Sequence, residues 1–102
     1  MKGPNKKVES DRRRRRCVLF NSVVRRTLKA LSCNQSLSEF EQMFCNNYLD
    51  RFPRNSSHTR VRNRCIKTGR PNGVFRHVRL TRHFFKNYAL AGLLFGVRKS
   101  SW

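Results

Sequence analysis

The sequence predicts a mostly α-helical chain with irregular extended segments and no independent large core. Three observations carry that expectation. Apolar residues recur three and four apart in two stretches of the first half, which marks helices with one apolar face. The second half is punctuated instead by Thr68-Gly69-Arg70-Pro71 and Asn72-Gly73, turn chemistry that leaves room only for short regular elements. The whole is small and strongly charged: 102 residues carry 24 Lys and Arg against 5 Asp and Glu, a net +19. A body of that size and imbalance leaves much of its surface exposed and repels itself. In order, the expected parts are a disordered or extended tail (1–11), a basic helical hairpin arm of two helices (12–52), and a body (53–102) with a small knuckle or hairpin, one helix and an extended end.

The tail, MKGPNKKVESD, has Gly, Pro and mixed charge but no periodicity, and is expected to order only on a partner. The first helix follows from Cys17, Phe20, Val24, Leu28 and Leu31, with Asp11 as its predicted N-cap. Arg25, Arg26 and Lys29 fall off that stripe. A plain surface helix would explain the charged side, but the block Arg12, Arg13, Arg14, Arg15 and Arg16 at a helix start opposes the macrodipole and calls for an anion alongside. A basic amphipathic start also resembles an organelle transit peptide, although Glu9 and Asp11 count against that.

The second helix is announced by two overlapping capping boxes, Ser36-x-x-Glu39 and Ser38-x-x-Glu41. Phe40, Met43, Phe44, Asn47 and Tyr48 share one face, and Pro53 sets the stop. The simplest reading makes this stripe core, packed on the first helix, in preference to a base-stacking role for Phe40 or Tyr48.

Residues 53–64 are irregular and basic, and a loop of that length is unusual in a compact body unless it is functional. Arg60, Arg62 and Arg64 alternate, which puts three guanidiniums on one side of an extended backbone, able to track a line of phosphates. The competing reading is a solvated, arginine-rich linker. Beyond it, Val74 to Leu80 alternates as a short strand, half of a small hairpin or knuckle after Cys65 and Ile66. Thr81 is placed to cap a helix running to Ala91, with Gly92 as its stop, and Arg82 and Lys86 share one of its faces. Arg98, Lys99 and Trp102 end the chain with two cations and a stacking ring.

Residues 51–102 hold 13 Lys and Arg and no Asp or Glu, so an external polyanion is needed, and nucleic acid is the natural one through counterion release. An anionic membrane is the runner-up, but it calls for an amphipathic helix in surroundings of low complexity, which the turn-rich second half does not fit. No apolar run approaches the roughly 20 residues of a membrane span. Catalysis by His58, His77 and His83 lacks a positioned acid, since no carboxylate follows Asp50. The four cysteines, Cys17, Cys33, Cys45 and Cys65, form no Cys-x-x-Cys pair, and nothing like a secretory signal precedes them, so free thiols are expected.

Four motifs in order then become familiar: Pro53-Arg-Asn-Ser-Ser57, Arg62-Asn-Arg-Cys65, Thr68-Gly-Arg-Pro71 and the terminal Lys99-Ser-Ser-Trp102. Together they resemble ribosomal protein fourteen of the small subunit in its bacterial and organellar form, almost continuously from Leu49 to Trp102. The resemblance implies a structural, non-enzymatic role in the head of the small ribosomal subunit. It also implies binding to the 3′ major domain of its RNA, beside proteins three, ten and nineteen, with no membrane and no self-association. One version of the family carries a four-cysteine zinc knuckle; here those positions fall on Cys65, Thr68, Thr81 and Phe84, so the chain resembles the zinc-free version and needs no cofactor. Where the family usually has Pro-Gly before the final basic stretch, this chain has Phe95-Gly96, which loosens that turn.

The expected RNA contacts are Arg12 to Arg16, Arg25, Arg26, Arg54, Arg60, Arg62, Arg64, Lys67, Arg70, Arg76, Arg79, Arg82, Arg98, Lys99 and Trp102. A histone-like DNA binder or another basic RNA-binding protein is the alternative that the charge alone would allow. The run Arg60 to Ile66 with the Lys-Ser-Ser-Trp ending is most similar to mitochondrial members, and eight phenylalanines lean the same way; a plastid ribosome is the next candidate.

Overall fold

The computed structural model describes residues 5–102; the part of the expected tail at 1–4 lies outside the described residues. Its elements are helix α1 (Lys6–Ser32), helix α2 (Glu39–Asp50), two 3-10 turns (Arg54–Ser56 and His58–Arg60), strands β1 (Val74–Phe75) and β2 (Leu80–Thr81), and helix α3 (Arg82–Leu90). The chain divides into two units, one of Met1–Asp11 with Arg62–Trp102 and one of Arg12–Val61. The predicted class holds: three helices, a two-stranded hairpin and extended segments among the described residues, with almost nothing fully buried.

The helix α1 begins earlier than predicted. Asn5, not Asp11, supplies the cap: its Oδ1 accepts from the Lys7 amide at 3.1 Å and its carbonyl from Val8 at 2.9 Å. Residues 6–11, expected as extended tail, are therefore helical. Asp11 lies inside the helix, buried, and accepts from the Arg62 amide at 3.4 Å. The arginine block consequently sits past the first turn, beyond the reach of the N-terminal dipole, so the expected clash with it does not arise.

In the unit of Arg12–Val61, the half-buried side of α1 carries Arg14, Cys17, Asn21, Arg25 and Leu28, a largely polar stripe, while Phe20, Val24 and Leu31 of the predicted apolar stripe are exposed. Arg25 explains the choice, since it is drawn inward by partners described below. The helix α2 starts at the second capping box: Ser38 Oγ accepts from the Glu41 amide at 3.4 Å, and Glu41 Oε2 accepts from the Ser38 amide at 3.0 Å. Its half-buried residues are Gln42, Cys45 and Leu49, three and four apart. Gln42 Nε2 donates to the carbonyls of Asn34 at 2.7 Å and Leu37 at 3.4 Å, which turns that face toward the connecting loop. The aromatic stripe therefore points outward and is not core, and α1 and α2 are not packed along their length.

In the unit containing Arg62–Trp102, Val74 to Leu80 forms both arms of a hairpin rather than half of one. β1 and β2 pair antiparallel with Val74 opposite Thr81 and Phe75 opposite Leu80. The knuckle Cys65 to Arg70 is closed by Cys65 N to Arg70 O at 3.0 Å and Gly69 N to Cys65 O at 2.8 Å, and it joins the hairpin through Ile66 N to Arg79 O at 3.0 Å. Gly69 has φ +71, a conformation that favours glycine, and a Cβ there would lie 2.8 Å from Asn5 Nδ2 and displace that side chain. A small core of Cys65, Leu80 and Thr81 is flanked by Phe75 edge-on to Phe85 at 5.0 Å. The helix α3 ends in a Schellman motif: Leu93 N donates to Tyr88 O at 3.0 Å and Gly92, at φ +74, to Ala89 O at 3.2 Å.

Candidate nucleic-acid interface

The hairpin, the turn before it and the start of α3 enclose a cleft of about 230 Å³ lined by Arg70, Asn72, Gly73, Thr81, Arg82 and His83. Local sequence builds each wall. The turn Asn72-Gly73 brings the Gly73 carbonyl to the Arg82 amide at 3.0 Å, which fixes the first residue of α3 against the turn. Thr81 occupies the N-cap position as predicted, but its buried side chain makes no capping bond to the first turn of the helix. The first turn of α3 thus has no side-chain acceptor, its first amide being taken by the Gly73 carbonyl, and the positive end of the helix lies in a cleft lined by two arginines. Such a combination receives an anion of phosphate size.

Other predicted contacts lie in the same unit. Arg76 and Arg79 stand exposed in the four-residue hairpin loop, where Arg79 takes the left-handed conformation, φ 56. Its amide donates to Phe75 O at 2.7 Å and its carbonyl accepts from Ile66, so the backbone is committed and the guanidinium is turned to the surface. Lys67, Arg98, Lys99 and Trp102 are exposed as well.

The alternating trio does not form one phosphate-tracking edge. Arg60 ends a 3-10 turn and belongs to the other unit. Arg62 donates from Nη2 to Asn72 Oδ1 at 3.4 Å. Arg64 is half-buried, its Nη1 gives 2.8 Å to the Gly69 carbonyl, and its Nε is buried with no partner among the described residues. The 3-10 turn His58–Arg60, with three residues per turn, takes Arg60 out of the period of two. Arg64 is thereby a brace for the knuckle.

In the unit of Arg12–Val61, Arg12, Arg13, Arg15, Arg16, Arg26 and Arg54 are exposed, and Arg14 is half-buried. Arg25 serves the fold: its Nη1 donates to Ser56 Oγ at 2.9 Å and its guanidinium lies 5.9 Å from the centre of the Phe52 ring.

His83, Asn72 and the glycine-bearing turn were absent from the predicted contacts. They stand within a few residues of Arg70 and Arg82 in sequence, but only pairing of β1 with β2 brings the two stretches to one cleft.

Cys65 sits fully buried beneath this region. Burial pushes its thiol up, but hydrogen bonds from the Thr68 hydroxyl and from the amides of Thr68, Thr81 and Lys67 outweigh burial and bring the thiol down from 9.0 to about 7. The knuckle positions Thr68, Thr81 and Phe84 offer no soft donor beside it, and among the described residues no group of three or more His, Cys, Asp or Glu could hold a metal ion. The residues present do not fit a zinc knuckle; the backbone bonds between Cys65 and Arg70 and between Gly69 and Cys65 close it. Among the described residues, no helix is long and apolar enough to cross a membrane.

Known proteins resemble this chain along nearly its whole length. The profile of the family described as Ribosomal protein S14p/S29e matches residues 48–101. The small ribosomal subunit protein uS14c of Euglena longa is 43% identical over 95 residues, covering 93% of this chain and 94% of that protein. The small ribosomal subunit protein uS14 of Orientia tsutsugamushi (strain Ikeda) is 42% identical over 90 residues, 86% of this chain and 89% of its own. That of Sinorhizobium medicae is 42% identical over 95 residues, 93% of this chain and 94% of its own.

Proposed function

The chain belongs to the ribosomal protein S14p/S29e family, and from that premise we propose that it grips small-subunit ribosomal RNA with the cleft of Arg70, Arg82 and His83 at the start of α3. It is a structural constituent of the small ribosomal subunit. The observation that carries the RNA reading is the cleft itself, lined by Arg70, Arg82 and His83 at the start of a helix that has no capping side chain. Phosphate contact there would position the chain without reading base identity. Arg76 and Arg79 on the hairpin loop, with Lys67, Arg98, Lys99 and Trp102, are exposed in the same unit and add to that contact. The exposed members of Arg12 to Arg16, with Arg26 and Arg54, supply a second basic surface in the other unit.

The finer assignments belong to the same proposal. The RNA is the 3′ major domain and the neighbours are proteins three, ten and nineteen of the subunit head; the chain is a single copy there, does no catalysis and works without zinc. The compartment is the mitochondrion, with the plastid as the alternative. Supporting it are the run Arg60 to Ile66, the Lys99 to Trp102 ending and eight phenylalanines. The test is sedimentation of the tagged full chain from an organelle lysate. It should travel with mitochondrial small subunits, and Arg70→Ala/Arg82→Ala should reduce its share of those particles. Migration with DNA, or normal occupancy by the double variant, would overturn the reading.

A further inference from the structure

The outward face of α2 is apolar and acid-edged in a chain that is otherwise strongly basic. Phe40, Met43, Phe44 and Tyr48, with the polar Asn47 among them, lie on one side of the helix at 78%, 61%, 65% and 47% exposure for the four apolar and aromatic side chains. At about 100° per residue, Glu41 falls just beyond the Tyr48 edge of this stripe, and Glu39 and Asp50 just beyond the Met43 edge. Ser38 holds the Glu41 carboxylate in place through the capping box. Between Lys29 and Arg51 there is no Lys or Arg, so three of the chain's 5 carboxylates edge this exposed apolar stripe.

The charge decides what this face can meet. Phosphate would be repelled by the three carboxylates, and a single cation, Arg51 at the C-cap, adjoins the stripe to release counterions. A second copy, also at +19, is repelled as a whole. We infer that the face Phe40-Met43-Phe44-Tyr48 docks a neighbouring protein of the small subunit, one that offers an apolar patch edged by Lys or Arg. This rests on the ribosomal reading above and assigns α2 to protein contact, in contrast to the cationic surfaces that face RNA. Exposed aromatic and methionine side chains are the anchors that such interfaces favour, and the acidic edge selects a basic partner.

The experiment uses the full-length chain assembled into small subunits in the cells that make it, with benzoylphenylalanine in place of Met43. Irradiation should join it to a protein. Glu39→Lys/Asp50→Lys, which leaves the capping glutamate intact, should lower the yield of that adduct at least about tenfold, as expected for like charges brought together. Phe40→Ser/Phe44→Ser should lower it as far without altering charge; both pairs are on the surface, so the helix should persist. Adducts to RNA or to a second copy, or none in particles that contain the chain, would overturn the inference. Absence of the wild-type chain from small subunits would remove the ribosomal reading, and the docking surface with it.

Discussion

The guanidinium of Arg25 donates to the hydroxyl of Ser56 at 2.9 Å, while that hydroxyl donates to the Pro53 carbonyl at 2.6 Å. The pair ties α1 to the first 3-10 turn across 31 residues of chain. Ser56 is buried, so Ser56→Ala would leave the guanidinium and carbonyl short of a partner at a cost of about 1–3 kcal/mol. We expect the amides of Ser56 and Ser57, which close the 3-10 turn, to exchange with solvent about tenfold faster or more. Unchanged exchange at those two amides would show that the pair holds nothing.

Cys65 predicts a pH dependence of its own. With the folded thiol lowered from 9.0 to about 7, the extra stability is fully present above pH 9 and is lost as pH falls through 7. The ceiling of that contribution is about 2–3 kcal/mol. Resistance to denaturant should therefore rise between pH 7 and 9, and Cys65→Ala should abolish the rise. The carbon resonance of the Cys65 Cβ should titrate with a midpoint near 7; a midpoint at 9.0 would mean that the amides do not hold the sulfur.

Local chemistry explains which features could be foreseen. The start of α2 at Ser38 and Glu41, and the stop of α3 at Gly92, depend only on residues within one turn, and both lie where the sequence puts them. The start of α1 does not, because Asn5 and Asp11 are equally good caps and only the contact of Asp11 with Arg62 moves it inside the helix. Periodicity correctly gathers Phe40, Met43, Phe44 and Tyr48 on one face, yet it cannot say whether that face meets this chain or another. The cleft was invisible for a different reason: residues 70–73 and 81–83 meet only through a hairpin whose loop bends at Arg79 in a conformation few non-glycine residues adopt.

That conformation separates two roles of Arg79. A side chain at φ 56 costs about 1–2 kcal/mol that glycine would not incur, partly offset by the looser unfolded chain. Arg79→Gly should therefore leave the melting temperature of the free chain unchanged or slightly raised, while weakening its binding to small-subunit RNA. An arginine retained at a strained position for its charge would behave so. Full RNA affinity in the glycine variant, measured at constant salt, would show that Arg79 does not touch the RNA.

Arg70 and Arg64, six residues apart, should fail in different ways. Arg70 and Arg82 line the cleft, and removing either guanidinium from a phosphate should lower the salt slope of RNA binding by about 0.7–0.9. Arg70→Ala/Arg82→Ala should thus flatten the slope by about 1.4–1.8 while the knuckle amides stay protected. Arg64 instead commits its guanidinium to the Gly69 carbonyl at 2.8 Å. Arg64→Ala should lower affinity with little change in slope, and it should speed exchange at the Gly69 amide, which closes the knuckle onto Cys65. Titrations over a range of salt separate the two, because a brace and a phosphate ligand can weaken binding equally at one salt concentration, but only the phosphate ligand changes the number of counterions released. Equal slopes for the double variant and the wild-type chain would take the cleft out of the RNA interface.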